Sequence, residues 1–201
     1  MALEQAILGF LADGPATGYD LKTRCFDGAP RFFWTADQAQ VYRTLDRLQK
    51  AGLVRSSRQR QRARPDRRLF ELTGKGRQAV QGWLASSHRA PVLRDPFLLQ
   101  VYLSAPLLDD ELQAVLISRR SVHQERLQQI RVVLTALATD RTVGEREASV
   151  RRIAIEAVAA RERSAIDWLD DFIDFVERKG LPQASASVAE PGSQAATRRG
   201  P

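Results

Sequence analysis

The chain has 201 residues, 43% of them hydrophobic and 27% charged, which excludes disorder throughout, and no apolar run approaches the ~20 residues that cross a bilayer. The net charge of +7 is lopsided: residues 1–90 hold sixteen Lys and Arg against eight Asp and Glu, leaving +8, while residues 91–201 stand at −1. A polyanion-binding first half and an electrically neutral second half are therefore expected. The N-terminus carries Glu4 where a signal peptide wants basic residues, so the expected location is cytoplasmic, with no membrane partner. The single cysteine, Cys25, cannot form an internal disulfide, and it reads as a small packed side chain rather than a nucleophile. No cofactor or metal is expected.

In chain order, Leu3, Ile7, Phe10 and Leu11 recur at helical spacing and predict a first amphipathic helix that Gly14-Pro15 ends. A short second helix is predicted from Thr17, with Asp20 completing a near capping box, to about Asp27. A third runs from about 36 to 51, with Thr35 and Gln38 as its capping pair and Gly52 as its C-terminal glycine. At 100° per residue Val41, Leu45 and Leu48 form one stripe of this helix and Gln40, Arg43, Thr44 and Arg47 another. The first stripe packs. The second carries side chains whose paired donors and acceptors match base edges in the DNA major groove, or simply presents a solvated face.

The runs "LVRSSRQ" and "RRLFELT" bracket "RQRARPD", which contains the Pro and Asp of a turn, and predict a two-stranded ribbon with a basic tip. Arginine occupies alternate positions there, at Arg58, Arg60, Arg62 and Arg64. Such a ribbon suits a nucleic-acid backbone, each neutralised phosphate releasing counterions, whereas a membrane surface would call for an accompanying amphipathic helix. A fourth helix begins at Thr73, with Val80 and Trp83-Leu84 inward. This order of elements is a winged helix-turn-helix.

The segments "GYDLK" (18–22), "FFW" (32–34), "QVYRTLDRLQKAGLV" (40–54), "RPDRRLFELTGKGR" (64–77) and "WL" (83–84) resemble the PadR family of bacterial transcriptional regulators, in its longer branch with a C-terminal helical domain. The resemblance implies a homodimer, commonly a repressor, whose third helix and wing grip a pseudo-palindromic double-stranded operator. It also makes a small hydrophobic or aromatic effector a candidate partner. Gln40 and Tyr42 match the family's Gln-hydrophobic-Tyr signature, and Arg64-Pro65 with Arg67 and Arg68 match its wing motif. Arg43 stands where many relatives have proline, Phe70 replaces a common tyrosine, and Ala63 replaces the glycine before the wing's Arg-Pro.

Beyond residue 90, "DPFLLQVYLSAPL" predicts a buried short helix capped by Asp95 and ending near Pro106. A long helix follows from about Asp109 to Ala138, with Leu112, Leu116, Ile130, Leu134 and Leu137 near a seven-residue seam. Its centre is polar: Arg119, His123 and Arg126 sit at seam positions, to set register, to bind an acidic ligand or, the favoured reading, to meet water. A last helix runs from about Glu145 to Lys179, stopped by Gly180 and Pro182. Its stripe of Ile153, Ala157, Ala160, Ser164, Trp168, Phe172 and Phe175 is expected to pack partly on a second subunit. From Leu181 on there is no periodic apolar pattern, and disorder is expected.

The expected fold class is mainly α: a winged helix-turn-helix with a two-stranded wing over 1–90, a helical dimerisation and effector domain over 91–180, and a tail over 181–201. Candidate DNA contacts are Thr35, Gln40, Tyr42, Arg43, Thr44, Arg47, Arg60, Arg62, Arg64 and Arg67. Candidate dimer contacts are Leu3, Ile7, Trp168, Phe172 and Phe175. A ligand-independent architectural DNA binder is the alternative. An enzyme is not supported: His88 and His123 are the only histidines, no carboxylate-His or Ser-His constellation is apparent, and there is no glycine-rich phosphate loop.

Overall fold

The spacing of the first apolar residues leads directly to a buried helix face. In the computed structural model, which describes residues 2–59, 67–88 and 94–181, helix α1 (Ala2–Ala12) buries Ile7, Leu8 and Leu11. Strand β1 (Ala16–Thr17) runs into α2 (Gly18–Asp20), which continues as a π-helical turn over Leu21–Phe26. The predicted cap is present: the Asp20 N–H donates to Thr17 Oγ1 (3.0 Å), and the Asp20 carboxylate accepts from the Thr17 N–H (3.2 Å) and hydroxyl (2.7 Å). The Thr17 hydroxyl, foremost among these, holds the Asp20 carboxyl below its ordinary range.

A short 3-10 turn (Ala29–Phe32) precedes α3 (Gln38–Lys50). Here the cap differs from the expected Thr35 and Gln38. Asp37 Oδ1 accepts from the Gln40 N–H at 2.7 Å, and the Asp37 N–H donates to Gln40 Oε1 at 3.2 Å. Both pairs satisfy the same four-residue pattern. The structure's choice places Ala36 and Val41 in one core cluster on either side of the cap, as a hydrophobic staple does. Helix α3 ends in a turn at Gly52, whose φ of +70° lies in the left-handed region that glycine adopts freely.

Strands β2 (Val54–Gln59) and β3 (Arg67–Leu72) pair antiparallel from Val54 opposite Leu72 to Gln59 opposite Arg67. Strand β1 adds to the other edge of β3, giving the order β1-β3-β2, a third strand too short for periodicity to reveal. Phe70 and Leu72 face inward and join Ile7, Leu21, Phe26, Val41 and Leu45 in the first core. Helix α4 (Gly74–Ala85) is capped by Thr73 and buries Val80, but Leu84 is 69% exposed rather than inward.

Helix α5 (Pro96–Tyr102) has the predicted cap, Asp95 Oδ1 accepting from the Phe97 N–H at 2.9 Å. It is not buried, however. Phe97 and Val101 pack inward, while Leu98, Leu99 and Tyr102 are exposed. Helices α6 (Asp109–Thr139) and α7 (Glu145–Lys179) form an antiparallel hairpin with two apolar clusters. Leu112 and Leu116 meet Leu169, Ile173 and Val176 at one end. Leu127 and Ile130 meet Ile155, Val158 and Ala159 at the other, and Phe32 from the N-terminal half inserts there. Among the described residues, no helix is long and apolar enough to cross a membrane, and no group of His, Cys, Asp and Glu could hold a metal.

Candidate nucleic-acid interface

With Val41, Leu45 and Leu48 inward, the opposite side of α3 carries Gln40, Arg43, Arg47 and Lys50 along an open groove bordered by Trp34 and Thr35. The groove is polar and positively charged, as a surface that meets base edges and phosphates must be. Gln40 reaches it with its amide donors, since its Oε1 is held by the Asp37 N–H. Tyr42 is partly exposed and lies against Gly18, where an added Cβ would come within 2.6 Å of the tyrosine ring. Gly18 thus lets α2 approach the side of α3.

Thr44 lies at the floor of this groove and is almost wholly buried. It is 1% exposed, and its Oγ1 accepts from Arg47 Nη2 at 3.1 Å. Thr44 stands three residues after Val41, only about 60° round the helix, inside the wedge the core occupies. It orients Arg47, whose Nη1 also lies 3.4 Å from the Glu4 carboxylate. Leu3 borders the groove beside Arg47, half-buried. Ile7 is fully buried in its own domain's core and has no surface to offer a second subunit. The sequence reading omitted Lys50 and Trp34. Lys50 was within reach of the periodicity, seven residues after Arg43 and on its face.

In the ribbon, strand alternation sorts the arginines. Arg55 and Arg67 share the outer face, and Arg55 makes a bidentate pair with Glu71, both contacts 3.0 Å. That pairing raises the Arg55 guanidinium and lowers the Glu71 carboxyl relative to their ordinary values. Arg58 and Arg68 share the inner face, opposite one another in the ladder. Arg60, Arg62 and Arg64 lie outside the described residues, as does the tail from 182 onward.

The polar centre of the hairpin meets water only in part: Arg126 is 45% exposed, but it and His123 close on a buried carboxylate. His123 Nδ1–H donates to Glu162 Oε2 at 2.6 Å, and Arg126 Nε lies 3.1 Å from Glu162 Oε1, with the Glu162 side chain 8% exposed. A carboxylate–histidine pair therefore exists after all, 39 residues apart in sequence, and an arginine completes it. Arg126 also donates to the carbonyl of Phe32, and so ties the hairpin to the N-terminal half. Arg120 pairs with Asp170 at 2.7 Å.

Between the two halves lies a cleft of about 570 Å³, walled by Phe10, Phe26, Phe33, Trp34, Trp83 and Ile155. Arg24 and Arg151 stand in its lining, Arg151 held 2.6 Å from Asp13. Cys25 also lines it, and burial, helped by Asp13, pushes its thiol up to about 11.

Residues 7–82 match the model of the transcriptional regulator PadR-like family, and residues 93–177 match that of the virulence activator alpha C-terminal region. The chain belongs to the PadR-like family of transcriptional regulators. The PadR-like regulators are DNA-binding proteins rather than enzymes. Two relatives align over most of the chain's length. One, named "Probable transcriptional regulator Rv1176c" in Mycobacterium tuberculosis, is 28% identical and aligns over 89% of this chain and all of its own. The other, the negative transcriptional regulator PadR of Bacillus subtilis, is 25% identical over 88% of this chain and 98% of its own. The solved structure of that Bacillus PadR with operator DNA has a TM-score of 0.78 at 22% identity, covering 88% of this chain and 99% of that one. The Vibrio cholerae virulence activator AphA has a TM-score of 0.68 at 21% identity, covering 87% and 98%. Both share the winged-helix fold with a helical C-terminal region.

Proposed function

We propose that this PadR-like regulator is a homodimeric repressor that reads a pseudo-palindromic operator with α3 in the major groove while the arginine-rich wing grips the backbone. The observation that carries this reading is the outward face of α3: Gln40, Arg43, Arg47 and Lys50 line one open groove beside a ribbon loaded with arginine. Guanidinium and amide groups supply the paired hydrogen bonds that distinguish bases, and the wing charges supply affinity independent of sequence. Residues 1–90 are the DNA-binding domain in this reading, and 91–180 the dimerisation and effector domain. The exposed apolar residues of α7 and α5, among them Ile153, Trp168, Phe175, Leu99 and Tyr102, are the dimer surface. A negative regulator in Bacillus, 25% identical, supports repression.

The cleft between the halves suits a flat aromatic molecule, with ring-lined walls and arginines for an acidic group. A solved Bacillus PadR structure contains p-coumaric acid, which is such a molecule. In this reading an aromatic acid in the cleft contacts Trp34, which also borders the α3 groove, and lowers operator affinity.

The test is the affinity for a duplex from upstream of the protein's own gene and for a scrambled duplex, each titrated with salt, with and without p-coumaric acid. A preference of about a thousandfold for the upstream duplex at physiological salt is expected, with release on adding the acid. Steep salt dependence without any preference would replace a repressor with an architectural binder. Preference unaffected by the acid would remove that effector from the reading.

A further inference from the structure

Arg67 and Arg68 are consecutive and identical, yet the strand sends them to opposite faces, and among the described residues Arg68 is the one bonded to α3. Its Nη1 donates to Asp46 Oδ1 at 2.9 Å, its Nη2 to Gln49 Oε1 at 2.6 Å, and its Nε to Ser56 Oγ at 3.3 Å. Its guanidinium carbon sits 4.7 Å above the centre of the Phe70 ring. All three nitrogens are engaged, by two residues one turn apart on α3 and by the neighbouring strand.

The wing's other attachments are at its base, where Val54, Phe70 and Leu72 pack in the first core and β1 pairs with β3 at Leu69 and Phe70. The Thr73 hydroxyl donates to the Gly52 carbonyl at 2.8 Å, and Lys75 Nζ to the Ala51 carbonyl at 3.1 Å. Gly76 is so close to the Leu53 carbonyl that an added Cβ would stand 2.1 Å from it. Those attachments reach no further along β3 than Leu69, and a ribbon held only at its base can bend relative to α3. Arg68, at the outer limit of that base and four residues along the strand from Leu72, roughly 13 Å away, adds side-chain bonds from the ribbon to α3 itself, and these set the angle between the two.

We propose that Arg68 is a positioning residue, which does not contact DNA itself but locks the angle between wing and α3 so that both engage one duplex in register. The inference rests on the DNA-binding reading above. It also explains an acid on the DNA-facing helix. Asp46 borders the α3 groove, where a carboxylate repels phosphate, but its charge offsets the like charges of Arg58 and Arg68 across the ladder and fixes the strut. A bidentate match needs α3 held to a fraction of an ångström, whereas a phosphate contact by a flexible arginine does not.

The experiment uses the full-length protein and a duplex that the wild type selects from a random-sequence pool, compared with a scrambled duplex across a salt series. Arg68→Met should weaken binding to the selected duplex about tenfold, leave the scrambled duplex within about twofold and leave the salt slope unchanged. Arg68→Lys should behave the same way, because an ammonium cannot bridge Asp46, Gln49 and Ser56 together. Asp46→Ala should also weaken the selected duplex, and the double variant should be no worse than either single one. Thermal unfolding of each variant, within a few degrees of wild type, separates loss of the angle from loss of the fold. If Arg68→Met weakened both duplexes alike and flattened the salt slope by about 1, with Arg68→Lys restoring them, Arg68 would be a phosphate contact and the proposal would fall. Stronger binding by Asp46→Ala would overturn it too, since it would mean that Asp46 was withholding Arg68 from DNA. Selective wild-type binding that Arg68→Met leaves untouched would overturn the strut alone, and a wild type that selects no duplex would overturn the DNA-binding reading together with it.

Discussion

Individual side chains decide what the surface of α3 can read. Thr44 looks outward on a coarse helical wheel, but at 1% exposure it is spent on orienting Arg47. Gln40 is half committed, its oxygen to the helix cap and its nitrogen to the groove. Arg43 is exposed and ends in that groove, so it is the side chain most available to a base edge. The one cysteine offers a probe of the other site. Cys25 lines the cleft, and burial pushes its thiol to about 11, against an ordinary 9.0. Only the thiolate is alkylated, so at pH 8 the folded chain should react with iodoacetamide about a hundredfold more slowly than the unfolded chain. The sign follows from desolvation, which disfavours the charged form: the native rate should keep rising about tenfold per pH unit to near 11. A plateau near pH 9 would show an ordinary thiol instead. Added p-coumaric acid should slow the reaction further if it occupies the cleft.

Between elements, the same kind of polar contact ties α6, α7 and the turn before α3 together. Glu162 is buried between His123 and Arg126, and Arg126 continues to the carbonyl of Phe32, itself 6% exposed in the hairpin's core. Replacing Glu162 with alanine leaves His123 without its acceptor and Arg126 with the Phe32 carbonyl but no carboxylate. The expected cost is about 1–3 kcal/mol, read as a drop in melting temperature of roughly 2–4 °C per kcal/mol for a chain of this size. An unchanged melting temperature would mean that the polar layer does not hold the hairpin. This layer marks the limit of what was legible in the sequence. Helix ends were readable wherever a local cap dictates them, as at Thr17, Asp95 and Gly180, because the chemistry involves residues three or four apart. The winged-helix order was readable from alternation and turn residues. Glu162 was not, because its partners are 36 and 39 residues away and nothing local distinguishes it from the solvated acids around it. The cap of α3 was misplaced for the opposite reason: two overlapping four-residue patterns satisfied one rule, and burial of Ala36 separates them only in three dimensions. The apolar content of α5 points to burial, but composition does not say whether the covering surface comes from the same chain.

At the scale of the whole molecule, α7 is the element a single chain leaves unfinished. At ~1.5 Å per residue its 35 residues extend about 52 Å, and the face toward α6 buries Ile155, Val158, Ala159, Glu162, Leu169, Ile173 and Val176, with Ile166 and Phe172 partly covered beside them. The opposite stripe carries Ile153 at 64% exposure, Trp168 at 40% and Phe175 at 42%, with Ala157, Ala160 and Ser164 between them. Small residues in that stretch let another helix approach closely, and the aromatics further along would bury a large area. Two α3 helices one turn of DNA apart, about 34 Å, require the two chains to be held at a fixed separation. An interface along α7 would supply that rigidity far from the DNA. Ile153→Glu combined with Phe175→Glu places two charges on the exposed stripe at residues outside both hairpin clusters, so the fold should survive, as helix content measured by circular dichroism would report. If the proposed dimer forms along this stripe, wild type should sediment as a dimer and the pair as a monomer at micromolar concentration. Because each monomer keeps α3 and the wing, its affinity for a single half-site should stay close to wild type. Affinity for the full palindrome should fall at least a hundredfold, as the second half-site ceases to be an intramolecular event. A variant that remained dimeric would place the subunit contact elsewhere, on the exposed Leu98, Leu99 and Tyr102 of α5, and the same charge pair moved to Leu99 and Tyr102 would then separate the chains.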